Sequence, residues 1–424
     1  MAKLKRVLGL FETTMYGVGI ILGAGIYVLI GQAAGIAGNA MWISFLAAAV
    51  VSVFTGLSFA ELSTMFPKES AGYLYTKMAF KSSALSFLVG WLILFVLVVA
   101  AAAVALGFGG YLSAMFGVPI IPSALVLIAL LTFLNHLGIK DAAWANIMMT
   151  VIELFGVLLI IALGFGHFGS VDYFEMPAGM GGVMSAAILV FFAYLGFENL
   201  VNISEEVKNP RKTMPKAIVY SIAITTIIYI LVALSSVSII PWQQLGLSKA
   251  PLADVANAAW PGSAALLSGI ALFSTTNTVL FLLIACSRMM YGMAREGALH
   301  KMFAAVHEAR QTPTFSIIVT MLLSMAFVMI GNIKTVAELT NWGTFMIFIS
   351  VNASLIALRK TEPKAKRPFR VPFRIGWFPV LPFLGILTCL VMLASFTPEM
   401  TLYGIGIMAA GLIVYGSISA YRKH

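Results

Sequence analysis

Twelve apolar stretches follow one another along the chain, with short polar or basic connections between them. A bilayer core needs about 20 apolar residues for each helix that spans it. The stretches lie at about 10–33, 39–65, 83–115, 119–136, 142–166, 181–204, 214–240, 263–291, 313–331, 336–358, 377–396 and 401–421. The pattern predicts an all-α polytopic membrane protein with 12 transmembrane helices.

The overall composition supports the same conclusion. Of 424 residues, 61% are hydrophobic and only 10% are charged, and the mean hydropathy is +0.99. An ordinary soluble domain is roughly half apolar and a quarter charged. Because no soluble core could hide this surplus of apolar side chains, we expect lipid to surround most of the protein.

The positions of the basic residues explain the net charge of +10. If both termini are cytoplasmic, the connections alternate between the two sides of the membrane, and only Lys249 and Lys334 fall on the outer side. Such an excess of Lys and Arg on the inner side is the positive-inside pattern. The sequence therefore predicts a multi-pass protein of the plasma membrane with cytoplasmic termini, and no nucleic-acid partner.

Two of the predicted helices are interrupted by glycine. The first contains Gly17, Gly19, Gly23 and Gly25, and the sixth contains Phe191-Phe-Ala-Tyr-Leu-Gly-Phe-Glu198. Interrupted helices at corresponding places of two five-helix halves indicate an inverted-repeat transporter with a site at the membrane midplane. The predicted organisation is a transporter core at 1–360 with repeats at about 10–166 and 181–358, followed by a cytoplasmic linker and two peripheral helices at 361–424.

A break in a spanning helix exposes backbone groups that can bind a ligand. Unpaired amides and carbonyls are tolerated at membrane depth only where they line a cavity. The N–H groups at the start of the second half-helix favour a carboxylate, and the carbonyls that end the first half-helix can accept an ammonium. Two facing breaks therefore fit a zwitterion. The alternative is that these glycines only allow close helix packing.

Several motifs resemble one transporter family. Leu22-Gly-Ala-Gly-Ile-Tyr-Val-Leu29 is similar to the helix-1 signature of the amino acid–polyamine–organocation (APC) superfamily, most closely its cationic amino acid transporter branch. The further motifs that resemble this family, in the same order along the chain, are Phe191 to Glu198, Glu205-Glu-Val-Lys-Asn-Pro-Arg-Lys212, Arg288-Met-Met-Tyr-Gly-Met-Ala-Arg-Glu-Gly297 and Arg367-Pro-Phe-Arg-Val-Pro372. The resemblance implies the leucine-transporter-type fold, with a 5+5 inverted repeat and two peripheral helices.

The resemblance also implies roles for individual residues. The substrate carboxylate would meet the N–H groups of Gly23, Ala24 and Gly25. The ammonium would meet carbonyls of residues near the two breaks, namely Ile20, Ile21, Phe192, Ala193 and Leu195. Phe197 resembles the aromatic gate above the substrate. In helix 8, Ser274, Thr275, Thr276 and Asn277 occupy positions that line the substrate and ion region in relatives.

Glu153 is a departure from the family pattern. It lies within the fifth apolar stretch, where an ionised carboxylate is costly and therefore indicates function. In the family that this chain resembles, proton-coupled prokaryotic members carry a lysine at the position of Glu153. We expect Glu153 either to bind the coupled proton, since desolvation disfavours its charged form, or to attract a cation together with Ser274 and Thr275. The alternative is a structural acid hydrogen-bonded to helix 1 or helix 8.

Two further acids and one arginine have predicted roles. Glu198 follows the break in the sixth helix, and we expect it either to gate the site or to hydrogen-bond backbone groups. Glu61 is expected to pair with basic residues near the inner end of helix 2. Arg288 is expected to extend its side chain towards water or to pair with an acid of the loop at 205–206.

These observations together favour a secondary active transporter of amino acids. Val98 to Val104 in the third stretch are small and apolar, which favours small or medium neutral amino acids, taken up with protons by alternating access. Sodium coupling, exchange, transport of cationic amino acids or polyamines, and amino acid sensing remain alternatives. No stretch has the residue spacing of a metal site or a catalytic triad, so we expect no enzyme and no cofactor. The oligomeric state is left open.

Overall fold

The computed structural model describes residues 8–66, 71–137, 142–203, 207–307, 310 and 312–421. The described chain is almost entirely helical. Its helices are α1 (Leu10–Leu22), α2 (Gly25–Ala37), α3 (Met41–Met65), α4 (Ala71–Phe80), α5 (Ser83–Phe116), α6 (Ile120–Leu137), α7 (Ala142–Gly164), α8 (Gly179–Val190), α9 (Pro210–Ile239), α10 (Trp242–Leu247), α11 (Pro251–Ala259), α12 (Ala264–Arg295), α13 (Thr314–Val328), α14 (Ile333–Thr361), α15 (Val380–Ala394) and α16 (Pro398–Tyr421). Between α14 and α15, the short strands β1 (Arg374–Ile375) and β2 (Phe378–Pro379) pair antiparallel.

Within the described residues, nine stretches are long and apolar enough to cross a membrane. They are Gly25–Met65, Ser83–Phe116, Ile120–Leu137, Thr150–His167, Gly179–Val201, Pro210–Ile239, Ala264–Arg295, Ile333–Thr361 and Pro398–Ser419, and three shorter apolar helices are α1, α13 and α15. The prediction of a polytopic α-helical membrane protein is confirmed at this level. The count of 12 spans stays a prediction.

Local sequence signals explain where several helices begin and end. The Ser82 hydroxyl accepts a hydrogen bond from the Leu85 amide at 3.3 Å and caps α5, and Asn332 caps α14 through the Thr335 amide at 3.1 Å. Pro210 and Pro251 start α9 and α11, where a missing amide hydrogen costs nothing. Gly117 ends α5 with φ +70°, a left-handed conformation that favours glycine.

The centre of the bundle is built around α5. This helix packs against α12 and α14, while α9 packs against α1 and α3. The run Val98 to Leu106 is buried on all sides, because its small side chains let neighbouring helices approach closely. At the periphery, only 11% of the most apolar part of α16 is buried inside the protein.

A buried ionic cluster joins α3 to α14 and to the segment that follows it. Glu61 is fully buried and pairs with Arg359, whose Nε lies 3.1 Å from Glu61 Oε1. Arg367 Nε lies 3.3 Å from the same oxygen, and the Val371 amide donates to Glu61 Oε2 at 2.7 Å. The expected pairing of Glu61 with basic residues is therefore confirmed, and it fixes the linker between α14 and β1 to the bundle.

Candidate functional site

The first predicted helix is broken between Leu22 and Gly25. Here α1 ends and α2 begins, and Gly23 and Ala24 lie between them. The Ala24 amide donates to the Thr278 hydroxyl of α12 at 3.2 Å, and the Gly23 amide donates to the Gly19 carbonyl at 3.5 Å. Two of the three amides predicted for the substrate carboxylate therefore have a protein partner in this conformation. Thr278 was not among the predicted site residues, which along this helix run from Ser274 to Asn277.

The sixth predicted helix is broken at Leu195 and Gly196. After α8 the chain forms a 3₁₀ turn over Phe191–Tyr194, becomes extended at Leu195, and resumes as a 3₁₀ helix over Phe197–Ile203. Gly196 has φ +127°, and a Cβ atom there would lie 2.8 Å from the Ile20 carbonyl oxygen. Only glycine fits this conformation and this close approach to α1.

The two breaks face each other. A Cβ atom added to Gly25 would lie only 2.6 Å from Cα of Ala193, so the start of α2 touches the backbone of the other break. Between the breaks, α5, α7 and α12 enclose a cavity of about 100 Å³, here called the central cavity. On this measure one water needs roughly 10–15 Å³, so the central cavity can hold several waters or a small polar molecule.

Most of the predicted site residues line the central cavity. Those that do are Ile20, Ile21, Gly23, Ala24, Gly25, Glu153, Phe192, Ala193, Leu195, Glu198 and Asn277. Phe197, Ser274 and Thr275 are not among its lining residues. Residues that form its wall without having been predicted are Gly19, Val96, Leu97, Ala100, Gly196, Asn199, Thr278, Phe281 and Leu282. The binding roles of the predicted residues stay predictions.

Phe197 is buried outside the lining of the central cavity, and its role as an aromatic gate stays a prediction. Its side chain is fully buried, with ring centroids 6.1 Å from Phe59 and 5.3 Å from Phe348. The aromatic residue of this segment that lines the central cavity is Phe192, which was predicted only for its carbonyl group. The break at Gly196 turns the chain, so Phe197 packs against α3 and α14 instead.

Tyr229 of α9 connects the two breaks and was missed by the sequence analysis. Its hydroxyl lies 2.8 Å from the Ile21 carbonyl oxygen and 2.7 Å from that of Ala193. A phenol has one proton, so it donates to only one of these acceptors at a time. Both carbonyls had been predicted to accept the substrate ammonium, and here they contact the same hydroxyl.

Glu153 of α7 lies in the wall of the central cavity and is buried, with 1% of its surface exposed. Its carboxylate lies near the side chains of Ser274 and Asn277. Within the described part of the chain, Glu153 Oε1 and Ser274 Oγ have no hydrogen-bond partner of good geometry. Thr275 differs, because its hydroxyl donates to the Ala271 carbonyl of its own helix at 2.8 Å.

The backbone around Glu153 is held by two tyrosines. The Tyr27 hydroxyl donates to the Glu153 carbonyl at 2.6 Å, and the Tyr111 hydroxyl donates to the Tyr27 carbonyl at 2.8 Å. Since Tyr27 belongs to α2 and Tyr111 to α5, these bonds couple the position of Glu153 to the half-helix that follows the first break.

Glu198 binds a backbone amide of the second break through its side chain. Its Oε2 accepts a hydrogen bond from the Gly196 amide at 2.9 Å, so the predicted alternative of backbone hydrogen bonding is observed. Glu198 also lies in the wall of a second cavity of about 330 Å³. The second cavity is lined by Phe59, Gly72, Ile93, Val96, Leu97, Glu198, Asn199, Phe281, Ile284, Ala285, Arg288, Met289, Thr344, Ile347 and Phe348.

The chain matches the amino acid permease family over residues 8–417. It is 32% identical to the branched-chain amino acid permease BcaP of Bacillus subtilis (strain 168) and 33% identical to the methylthioribose transporter of the same bacterium. Each match covers 99% of this chain and 94% of the relative. Human cationic amino acid transporter 4 is 32% identical over 85% of this chain and 61% of that protein.

These relatives are named as permeases and transporters, not as enzymes. A family match of this extent accounts for the resemblance found in the sequence motifs. The described chain also contains apolar helices along its whole length. The chain is a multi-pass membrane protein that belongs to the amino acid permease family of the APC superfamily, and this membership supports amino acid transport as its activity.

Proposed function

We propose that the protein is a secondary active transporter that takes up small or medium neutral L-amino acids together with protons, by alternating access. The observation that carries the proposal is the pair of facing helix breaks around the central cavity. The N-terminal end of α2 offers amides and a positive dipole end to the carboxylate of an amino acid. The carbonyls of Ile20, Ile21 and the second break offer acceptors to its ammonium group.

The proposed architecture has 12 spans in a leucine-transporter-type fold. In it, α1 and α2 form span 1, and α8 with the following 3₁₀ segments forms span 6. Spans 1–5 and 6–10 would be the two inverted repeats, and α15 and α16 the peripheral spans 11 and 12. The low burial of α16 supports its peripheral place.

The distribution of the basic residues supports the proposed orientation. With both termini in the cytoplasm, the inner ends of α3, α12 and α14 and the residues of the second cavity, including Gly72 and Arg288, face the cytoplasmic side of the plasma membrane. The second cavity is then the inner vestibule, and the conformation is one in which the central cavity lies next to the cytoplasm.

A neutral substrate is favoured by the wall that would surround its side chain. Val96, Leu97 and Ala100 of α5 and Phe281 of α12 are apolar and line the central cavity. Burying a charged side chain against such a wall is costly without a partner. The similarity to a branched-chain amino acid permease points in the same direction.

Transport of cationic amino acids is a second candidate. Two carboxylates, those of Glu153 and Glu198, lie in the wall of the central cavity and could face a cationic side chain. The similarity to cationic amino acid transporter 4 fits this alternative. The similarity to a methylthioribose transporter shows that relatives at this level of identity are named for different substrates.

Glu153 is the proposed proton carrier. In a buried wall the neutral carboxylic acid is favoured over the anion, so protonation from the acidic side and release to the other side can be coupled to the conformational change. The hydrogen bond from Tyr27 to the Glu153 backbone would transmit movement of α2 to α7.

Uptake into proteoliposomes tests the proposal. Purified protein would be reconstituted and supplied with labelled leucine, alanine, serine, arginine or glutamate, with and without an inward proton gradient. We expect leucine or alanine to accumulate only with the gradient. Accumulation driven by sodium alone would contradict proton coupling, preferential uptake of arginine would favour the second candidate, and binding without uptake would indicate a sensor.

A further inference from the structure

One face of α12 runs without interruption from the central cavity into the second cavity. Phe281 belongs to both cavities, and the residues that continue the lining, Ile284, Ala285, Arg288 and Met289, recur every three or four positions, as one face of a helix does. Arg288 follows Asn277 by 11 residues, which places it about 16 Å further along the helix axis.

The passage between the two cavities is mostly apolar along these helices. On α5, Ile93, Val96 and Leu97 form the opposite wall, and the last two belong to both cavities. Thr344, Ile347 and Phe348 of α14 add one polar and two apolar side chains to the wall of the second cavity. An amino acid that leaves the central cavity by this route therefore meets hydrophobic side chains that suit its own side chain.

Among the described residues that line the second cavity, Arg288 is the cation. Its side chain is exposed there, and it has no ion pair or hydrogen bond with any residue that the structure describes. The expected pairing with an acid at 205–206 concerns residues outside the described ranges. A guanidinium beside apolar walls attracts an anion more strongly than one in bulk water, because the local dielectric constant is lower. Its planar fork also matches the geometry of a carboxylate.

We propose that Arg288 forms an exit subsite, in which the carboxylate of the transported amino acid is held after it leaves the amides of the first break. This inference rests on the proposed function. Glu198 stands in the wall shared by both cavities and offers an acceptor to the ammonium during the transfer. The two ends of the zwitterion thus meet opposite charges along a passage whose walls bind its side chain.

The subsite predicts an asymmetric effect on transport. Right-side-out and inside-out vesicles that contain the protein would be compared for the concentration of labelled leucine that gives half-maximal flux. We expect Arg288→Gln to raise this concentration about tenfold on the cytoplasmic side and to change it by less than about twofold on the external side. Arg288→Lys keeps the charge and should lie between the wild type and Arg288→Gln.

Arg295→Gln is the matched control, since Arg295 lies near the same end of α12 and does not line either cavity. It should leave both concentrations unchanged. A second probe is 4-methylpentanoate, a carboxylate without an ammonium group, which should inhibit leucine flux from the cytoplasmic side in the wild type and much less in Arg288→Gln.

The possible failures are distinguishable. If the wild type moves no labelled amino acid in either kind of vesicle, the proposed function itself fails. If the wild type transports leucine and Arg288→Gln matches it on both sides, or is impaired equally on both, the exit subsite is wrong. Thermal unfolding of each variant in detergent identifies a folding defect. If Arg288→Gln is defective, the exit subsite is tested by the flux of Arg288→Lys and by the inhibition of the wild type by 4-methylpentanoate from the cytoplasmic side.

Discussion

The hydroxyl of Tyr229 lies 2.7 Å from the carbonyl oxygen of Ala193, at the point where the sixth predicted helix loses its regular hydrogen bonds. The same hydroxyl lies 2.8 Å from the Ile21 carbonyl, near the end of α1. One side chain of α9 therefore holds the two interrupted helices at a fixed separation. Because the hydroxyl supplies a single proton, one of the carbonyls remains ready to accept from an ammonium group.

Tyr229→Phe should weaken substrate binding without unfolding the protein. The ring still packs against Phe45 and Tyr194, but the hydroxyl that fixes the separation of the two breaks is lost, so the carbonyls proposed for the ammonium group are no longer held in place. We expect the Kd for leucine to rise about tenfold, measured by scintillation proximity on purified protein. Tyr220→Phe removes an exposed hydroxyl from the same helix and should have no effect. Equal affinities of the two variants would remove Tyr229 from the site.

Glu153→Gln should separate substrate movement from the proton gradient. Glutamine preserves the shape of the side chain but cannot bind and release a proton. We expect leucine accumulation under an imposed pH gradient to be abolished, while exchange of labelled for unlabelled leucine continues. Glu338→Gln changes an acid of α14 that lies outside the central cavity and should accumulate leucine as the wild type does. Undiminished accumulation in Glu153→Gln would assign proton coupling to another group.

Gly25→Ala should abolish binding for a steric reason. The added Cβ would lie 2.6 Å from Ala193 Cα, a distance that the two backbones can relieve only by separating. A larger side chain, as in Gly25→Leu, should have a stronger effect. Gly269→Ala is a matched change, because nothing lies within 4 Å of a Cβ there. The rise in melting temperature that leucine causes would be measured for Gly25→Ala and Gly269→Ala. A rise in Gly25→Ala as large as in the wild type would mean that the two breaks are not in contact.

The helix boundaries were readable from the sequence because lipid imposes a strong constraint on composition and length. The predicted stretch at 83–115 corresponds to Ser83–Phe116, and that at 142–166 includes Ala142–Gly164. The first break was also predictable, since Gly23 and Gly25 stand where regular helix would otherwise continue. The second break, which lies across the central cavity, was predictable from Gly196, because glycine is the residue type that φ +127° requires.

The side chains that complete the site could not be predicted in the same way. Tyr229 and Thr278 lie within long apolar helices, where hydropathy gives no information about which way a single polar group faces. The packing of Phe197 against α3 and α14 was equally unpredictable. It follows the break by one residue, and the direction of a side chain after an irregular turn depends on the dihedral angles of that turn, which sequence spacing does not contain.

The buried cluster around Glu61 gives a prediction about stability. Glu61→Gln removes the charge that compensates two guanidinium groups, those of Arg359 and Arg367, in a site without solvent access. Breaking a buried ion pair by removing one partner typically costs about 3–5 kcal/mol, because the remaining charge stays uncompensated. We expect the free energy of unfolding in detergent to fall by about this amount, as measured by denaturant titration of tryptophan fluorescence.

Arg367→Gln should cost less than Glu61→Gln. Its Nε approaches the carboxylate at 3.3 Å without hydrogen-bond geometry, whereas Arg359 contacts both carboxylate oxygens and the Val371 carbonyl. In Arg367→Gln the Glu61–Arg359 pair remains neutral overall, so no charge is left unpaired. Glu399→Gln, at an exposed acid of α16, serves as the control and should leave stability unchanged. If Glu61→Gln unfolds at the same denaturant concentration as Glu399→Gln, the cluster does not hold the linker after α14 to the bundle.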